Sequence, residues 1–144
     1  MVTIVATFGV WDLFHVGHLN FLEKAKDLGH LLVVGVASDK IVAIHKGRIP
    51  VVSCEDRQRI IKALRCADIV VPYSNEDFTD ILEQLHIDIL AVGEYWGNLK
   101  EHEKIKDYIL KRGKITTIPY TRSISSKEVR QRLFDRLYRT ESEY

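Results

Sequence analysis

Short apolar runs alternating with helix-forming stretches limit this chain more than any other feature of its sequence. Residues 2–8 (VTIVATF), 31–37 (LLVVGVA), and the runs DIVVP, DILAVG and KITTIP are apolar and rich in β-branched residues. Each has the length of a buried strand. Between them, Phe21, Leu22, Ala25 and Leu28 fall at helical spacing before Gly29, which reads as a C-cap. Ser53 opens a second helix with Asp56 three residues on and Ile60, Ile61 and Leu64 on one face. NEDFTDILEQL reads as a helix, residues 99–111 as a charged helix ending at Gly113, and Ser125 or Ser126 as the cap of a last helix through Leu137. Strands apolar on both sides, separated by helices, predict an α/β fold: a Rossmann-like, doubly wound, parallel five-stranded sheet with helices on both faces.

In such sheets ligands bind beyond the carboxyl ends of the strands. That rule singles out residues 9–18, 38–50, 93–98 and 120–127. In the first, His15-Val16-Gly17-His18 stands where a strand hands over to a helix. Residues three apart at a helix start share a face, so both imidazoles can meet one ligand. The free N–H groups and dipole there favour an anion, and Gly17 would let a phosphate approach the backbone. Two donors at a helix terminus suit charge building on a phosphoryl group. The plainer reading makes His15 a cap and His18 a half-buried polar residue. HxxH is also a weak zinc pattern, but no third ligand stands at suitable spacing, so a metal site is not expected.

Around the second segment the charge is uneven. From Asp39 to Arg65 seven basic residues face three acidic ones, in a chain whose net charge is only +1. A basic loop over a crevice suits a polyphosphate. Lys46, beside Gly47, is the better candidate there, while Arg59 and Lys62 read as a solvated helix face. In SISSKEV two serines at a helix start could cap it or hold a terminal phosphate.

The near-neutral charge argues against wrapping nucleic acid or docking on an anionic membrane. No run is long enough to span a membrane and no signal-peptide pattern is present, so a cytoplasmic protein is expected. At 144 residues a single domain over 1–138 is expected, with 139–144 a frayed tail. Cys54 and Cys66 read as members of one helix, about 18 Å apart and too far for a disulfide.

GVWDLFHVGH resembles the signature of the cytidylyltransferase-like nucleotidyltransferases: glycine, an aromatic residue, Asp, then HxGH. Length and element order are similar to those of glycerol-3-phosphate cytidylyltransferases. The resemblance implies that His15 and His18 stabilise the α-phosphate under attack, supported by Asp12, with Phe8, Gly9 and Gly17 beside the nucleotide. It implies that Lys46 binds nucleotide phosphates, and that Arg57 and Arg65 bind the substrate phosphate or orient the nucleotide. Asp39 and Trp96 would lie near the acceptor, Gly93 near the base, and Ser125 and Ser126 at the β- and γ-phosphates. Mg2+ would accompany the triphosphate, and the family commonly forms homodimers. The acceptor is itself a phosphomonoester and a competent nucleophile, so no general base is required.

The chain departs from that family at the base side. Tyr120 stands at an arginine position, with Arg122 two residues on. Tyr95 replaces a common acid, with Glu94 beside it, and Ser123 and Lys127 replace a glycine and a threonine. Phosphate chemistry is untouched, but cytidine specificity is not assured. Tyr95 and Tyr120 could stack on a base, stack on each other, or fill space. The first expectation is transfer from CTP to a small phosphorylated alcohol such as glycerol 3-phosphate. Alternatives are an adenylyltransferase acting on FMN or a sugar phosphate, or a non-catalytic nucleotide-binding domain.

Overall fold

The computed structural model describes residues 1–139, so the expected tail lies almost wholly outside the described residues. Five strands, β1 (Ile4–Gly9), β2 (Leu31–Ala37), β3 (Ile69–Tyr73), β4 (Ile89–Gly93) and β5 (Lys114–Ile118), form one sheet. Its order is β3-β2-β1-β4-β5 and every pairing is parallel. The chain winds outward from β1 through β2 to β3, then crosses back to place β4 on the other side of β1. Order therefore reverses between β1 and β4, where a crevice opens at the strand ends.

Successive strand residues point to opposite faces, and both faces are buried. Val5, Leu32, Val34, Val36, Ile89 and Ala91 join Leu22 and Ala25 of α1 (Val16–Lys26) and Ile61 of α3 (Cys54–Lys62) in one cluster. Ala6, Val33, Leu90 and Val92 join Leu82 of α4 (Thr79–Gln84) with Ile105 and Ile109 of α5 (Glu103–Leu110) in the other. The remaining helices are α2 (Asp39–Lys46) and α6 (Ser126–Arg139). This is the doubly wound α/β sheet expected from the sequence.

Several boundaries differ. The α1 helix ends at Lys26 with Asp27 as C-cap, and Gly29 serves packing instead: a Cβ there would meet the Thr3 carbonyl oxygen at 2.8 Å. Cys66 lies beyond α3, whose C-cap is Ala63, so the two cysteines do not share a helix. The α4 helix keeps only one and a half turns, because Asp77 and Asn75 draw the preceding backbone into side-chain-bonded turns. Residues 100–102 form a 3-10 turn before α5 begins at Glu103.

Candidate active site

The crevice at the strand ends is a cleft of about 770 Å³, within the range of small-molecule sites. Its floor is the β1–α1 turn, and that turn is strained. Trp11 and Leu13 take positive φ values of 60° and 50° on either side of Asp12. The Trp11 indole donates to the Gly35 carbonyl (2.9 Å) and lies against Gly9, where a Cβ would come 3.0 Å from the ring. Gly9 makes room for that anchor.

His15 is the N-cap of α1. Its Nδ1 accepts from the N–H groups of Gly17 (3.0 Å) and His18 (3.4 Å), while the His15 N–H donates to His18 Nδ1 (3.3 Å). The two imidazoles thus form a reciprocal capping box and stack with centroids 3.9 Å apart. Because both Nδ1 atoms accept, each neutral ring carries its proton on Nε2. His15 Nε2 is buried without a partner, a donor left for something else to satisfy. Burial, reinforced by the neighbouring His15, pushes the His18 pKa down to about 4, and burial lowers that of His15. Both rings are neutral near pH 7. Gly17 lines the cleft and has a packing role as well: a Cβ there would meet His15 Cε1 at 2.8 Å and Nδ1 at 2.9 Å. The glycine makes room for the capping ring.

Two buried charged groups hold this turn to the segment after α2. Asp12, 8% exposed, accepts from the N–H groups of Val51 (2.9 Å) and Val52 (2.9 Å), and its carbonyl accepts from Ser126 Oγ (2.8 Å). Arg57, 1% exposed, donates to the carbonyls of Val10 (2.6 Å) and Val52 (2.8 Å) and to Asp39 Oδ1 (2.6 Å). Asp39 also accepts from the Cys54 N–H. The family resemblance implied that Arg57 binds the substrate phosphate or orients the nucleotide and that Asp39 lies near the acceptor. The structure instead spends both on binding α2, α3 and the signature turn together, and neither lines the cleft. Arg65 is exposed on the chain after α3, away from the cleft, and the same is true of Arg59 and Lys62 on α3.

Lys46 does line the cleft, from the last turn of α2 rather than from a loop; Gly47 ends the helix at φ 67°. Arg48 from the next segment, with Lys127 and Arg130 from the first turn of α6, completes a cationic rim. Burial lowers the Lys46 pKa, and repulsion from Arg48 and Arg130 lowers it further against the pull of Asp12. Lys46, Arg48, Lys127 and Arg130 enter no ion pair among the described residues. These four cations against the two carboxylates of Asp12 and Glu128 leave the cleft a net positive charge, which suits an anion. Arg48 was visible beside Lys46 in the sequence. Arg130 was missed, although its i, i+3 spacing from Lys127 at a helix start was a usable signal.

From the ends of β4 and β5, Gly93, Tyr95, Trp96, Tyr120 and Arg122 also line the cleft, as do Phe8 of β1 and Ser125 and Ser126 at the start of α6. Tyr95 and Tyr120 stack on each other, and Tyr120 folds its hydroxyl over Gly93. Glu94 does not line the cleft; its carboxylate accepts from the Tyr120 N–H (3.1 Å). Ser125 is the cap of α6, accepting from the Glu128 N–H (3.1 Å), while Ser126 ties that helix to Asp12. Trp96 stacks on His102, and both line a smaller side pocket.

The sequence pattern of the Cytidylyltransferase-like family matches residues 6–132. The chain is 47% identical over 90 residues to an FAD synthase of Thermococcus sibiricus, covering 62% of this chain and 61% of that protein. An FAD synthase of Thermococcus kodakarensis is 34% identical over 116 residues, 78% of this chain and 76% of that one. The bifunctional protein HldE of Magnetococcus marinus is 32% identical over 133 residues, 90% of this chain but 27% of its own. These names replace the glycerol-3-phosphate cytidylyltransferases that the sequence resemblance favoured. Among solved structures, a lipopolysaccharide core biosynthesis protein from Thermoplasma volcanium superposes with a TM-score of 0.68 at 27% identity, over 84% of this chain and 98% of that one. No described helix is long and apolar enough to cross a membrane. Matched along most of its length and folded on the same sheet, the chain belongs to the cytidylyltransferase-like family.

Proposed function

We propose that the chain is an adenylyltransferase that moves AMP from ATP to a phosphorylated acceptor with a flat ring system, FMN first, giving FAD and pyrophosphate. The similarity to FAD synthases supports the reaction. The observation that carries the acceptor is the side pocket of about 270 Å³ that opens off the main cleft. Phe8, Tyr73, Phe78 and Trp96 line it together with His45, Glu76, Glu101 and His102, and Lys46 lines both spaces. An aromatic pocket with a cation at its mouth suits a planar ring joined to a phosphate. Glycerol 3-phosphate has nothing to place there.

The step is an in-line displacement. An oxygen of the acceptor's phosphate, largely dianionic at pH 7, attacks the α-phosphorus of ATP; the α–β bridging bond breaks and pyrophosphate leaves with that electron pair. The Nε2–H groups of His15 and His18 donate to the α-phosphate oxygens as charge builds there. Lys46, Arg48 and Arg130 neutralise the leaving pyrophosphate and hold both reactants in place. No described cluster of His, Cys, Asp and Glu could cage a metal ion. Magnesium would enter as part of the substrate, carried on the triphosphate.

Pyrophosphate release with ATP, CTP, GTP and UTP against FMN, glycerol 3-phosphate and sugar phosphates tests the reading. Turnover of ATP with FMN is expected, with flavin fluorescence quenched on binding. Turnover of CTP with glycerol 3-phosphate in its place would reject it.

A further inference from the structure

From the rim of the cleft we infer that Tyr95 and Tyr120 are a two-sided clamp for the purine ring of the nucleotide. The inference rests on the adenylyl reading above and assigns its base preference to this pair. Both rings are large, apolar and open to solvent, at 66% and 51% exposure, although each borders the cleft. Their centroids are 6.3 Å apart and their planes 30° apart. Two rings gripping a third need about 7 Å, twice the optimal carbon–carbon contact distance. The pair is close to that spacing and needs only a small opening.

The backbones that carry the rings suit such a movement. Tyr95 precedes a single 3-10 turn (Trp96–Asn98), and Tyr120 sits in the irregular segment between β5 and α6. Glu94 fixes the Tyr120 main chain through its N–H, so the ring can rotate about a held pivot. Glu94 is thus a positioning residue. Below the rings, Gly93 offers no side chain, and the Tyr120 hydroxyl takes that space.

Location separates this aromatic end from the phosphate end. The phosphate-facing groups come from the β1–α1 turn, the end of α2 and the first turn of α6. The tyrosines stand on the opposite wall, beyond β4 and β5, the strands on the other side of the switch point. A nucleotide with its α-phosphate at His15 and His18 lies across the switch point with its base toward them. A purine covers both rings more fully than a pyrimidine, so the clamp favours ATP over CTP by area of contact.

Isothermal titration of the full chain with ATP, CTP and inorganic tripolyphosphate tests the clamp, in the native protein and in Tyr95→Leu, Tyr120→Leu and Tyr95→Phe. Each Leu variant is expected to weaken ATP about ten- to a hundredfold, the range for losing one stacking ring. Tripolyphosphate, which has no base, should bind all four proteins alike, and Tyr95→Phe should restore most of the ATP affinity. Equal weakening of ATP and tripolyphosphate would reduce the pair to a structural contact and overturn the inference. Unchanged ATP affinity in both Leu variants would overturn it too, while leaving adenylyl transfer standing if the native protein turns over ATP. Native turnover of CTP and not ATP would instead remove the reading beneath it and the purine preference together.

Discussion

At His15 and His18 one ring nitrogen builds the helix that presents the other. Nδ1 accepts in the cap and Nε2–H is the remaining donor, so protonation breaks the cap, since a charged imidazole has no lone pair to accept with, and loosens the ring that carries the donor. An unfolded histidine titrates near 6.5 and His18 in the fold near 4. Between those values the unfolded chain binds the extra proton, so stability is complete above pH 6.5 and lost as pH falls toward 4. His15, also lowered, acts in the same direction. The urea midpoint should decline across that window, with a shallower decline in His18→Ala. The same variant should lower kcat about a hundred- to a thousandfold, the usual cost of one transition-state donor, with much less effect on ATP affinity. A similar fall in affinity and rate would mean that His18 only shapes the pocket. Arg57 belongs to this scale as well. Arg57→Ala strands two backbone carbonyls and Asp39, and should cost about 3 kcal/mol by denaturant titration, the lower end of the buried-pair range because Asp39 is 43% exposed. Arg57→Lys, with no fork to reach three acceptors, should recover little of it.

The elements that matter most are joined at their ends. His15 closes the first turn of α1, while residues 51–52 and the start of α6 both bond to Asp12, through its Oδ atoms or its carbonyl. Gly17→Ala tests the first of these junctions. Its Cβ would collide with the His15 ring, so the cap should open at a cost of about 1 kcal/mol. The displaced Nε2 should lower kcat far more than that stability loss would suggest. A normal kcat in a normally folded Gly17→Ala protein would show that the capped geometry is dispensable. Asp12→Asn tests the second junction: its amide nitrogen would face an N–H donor of Val51 or Val52 in place of an oxygen. Segment 50–52 should then exchange its amide hydrogens faster, and the KM for nucleotide should rise.

For the whole molecule, the cleft joins segments that the chain separates widely. A nucleotide at a hundred times its Kd should add about 2.7 kcal/mol to the unfolding free energy. Hydrogen-exchange protection should rise in residues 46–52 and 119–127, where the cleft wall has no regular structure beneath it, and little in the centre of β1 and β2. Protection confined to the sheet, or absent, would place the ligand elsewhere.

Local physics was legible in the sequence wherever neighbours along the chain decide the outcome. Apolar periodicity specified five strands, and an HxGH at a strand–helix junction specified a capped anion-facing turn. Both depend on residues within a few positions of one another. The Ser38 cap and Gly47 stop of α2 were equally local, yet the basic residues between them read as a loop, and Lys46 was assigned to the wrong kind of segment. Partnership over distance was not legible. Arg57 carries the same charge as Lys46, and no pattern shows that its acceptors lie 47 residues upstream at Val10 and 18 upstream at Asp39. Arg130 joins Lys46 only because strand order brings the start of α6 to the end of β1. Sequence determined which segments are strands and helices and which turn His15 caps, because hydrogen bonding and burial along one element are short-range. Tertiary structure decided which cations line the cleft and which are buried as clamps, because that depends on which segments the sheet order sets side by side.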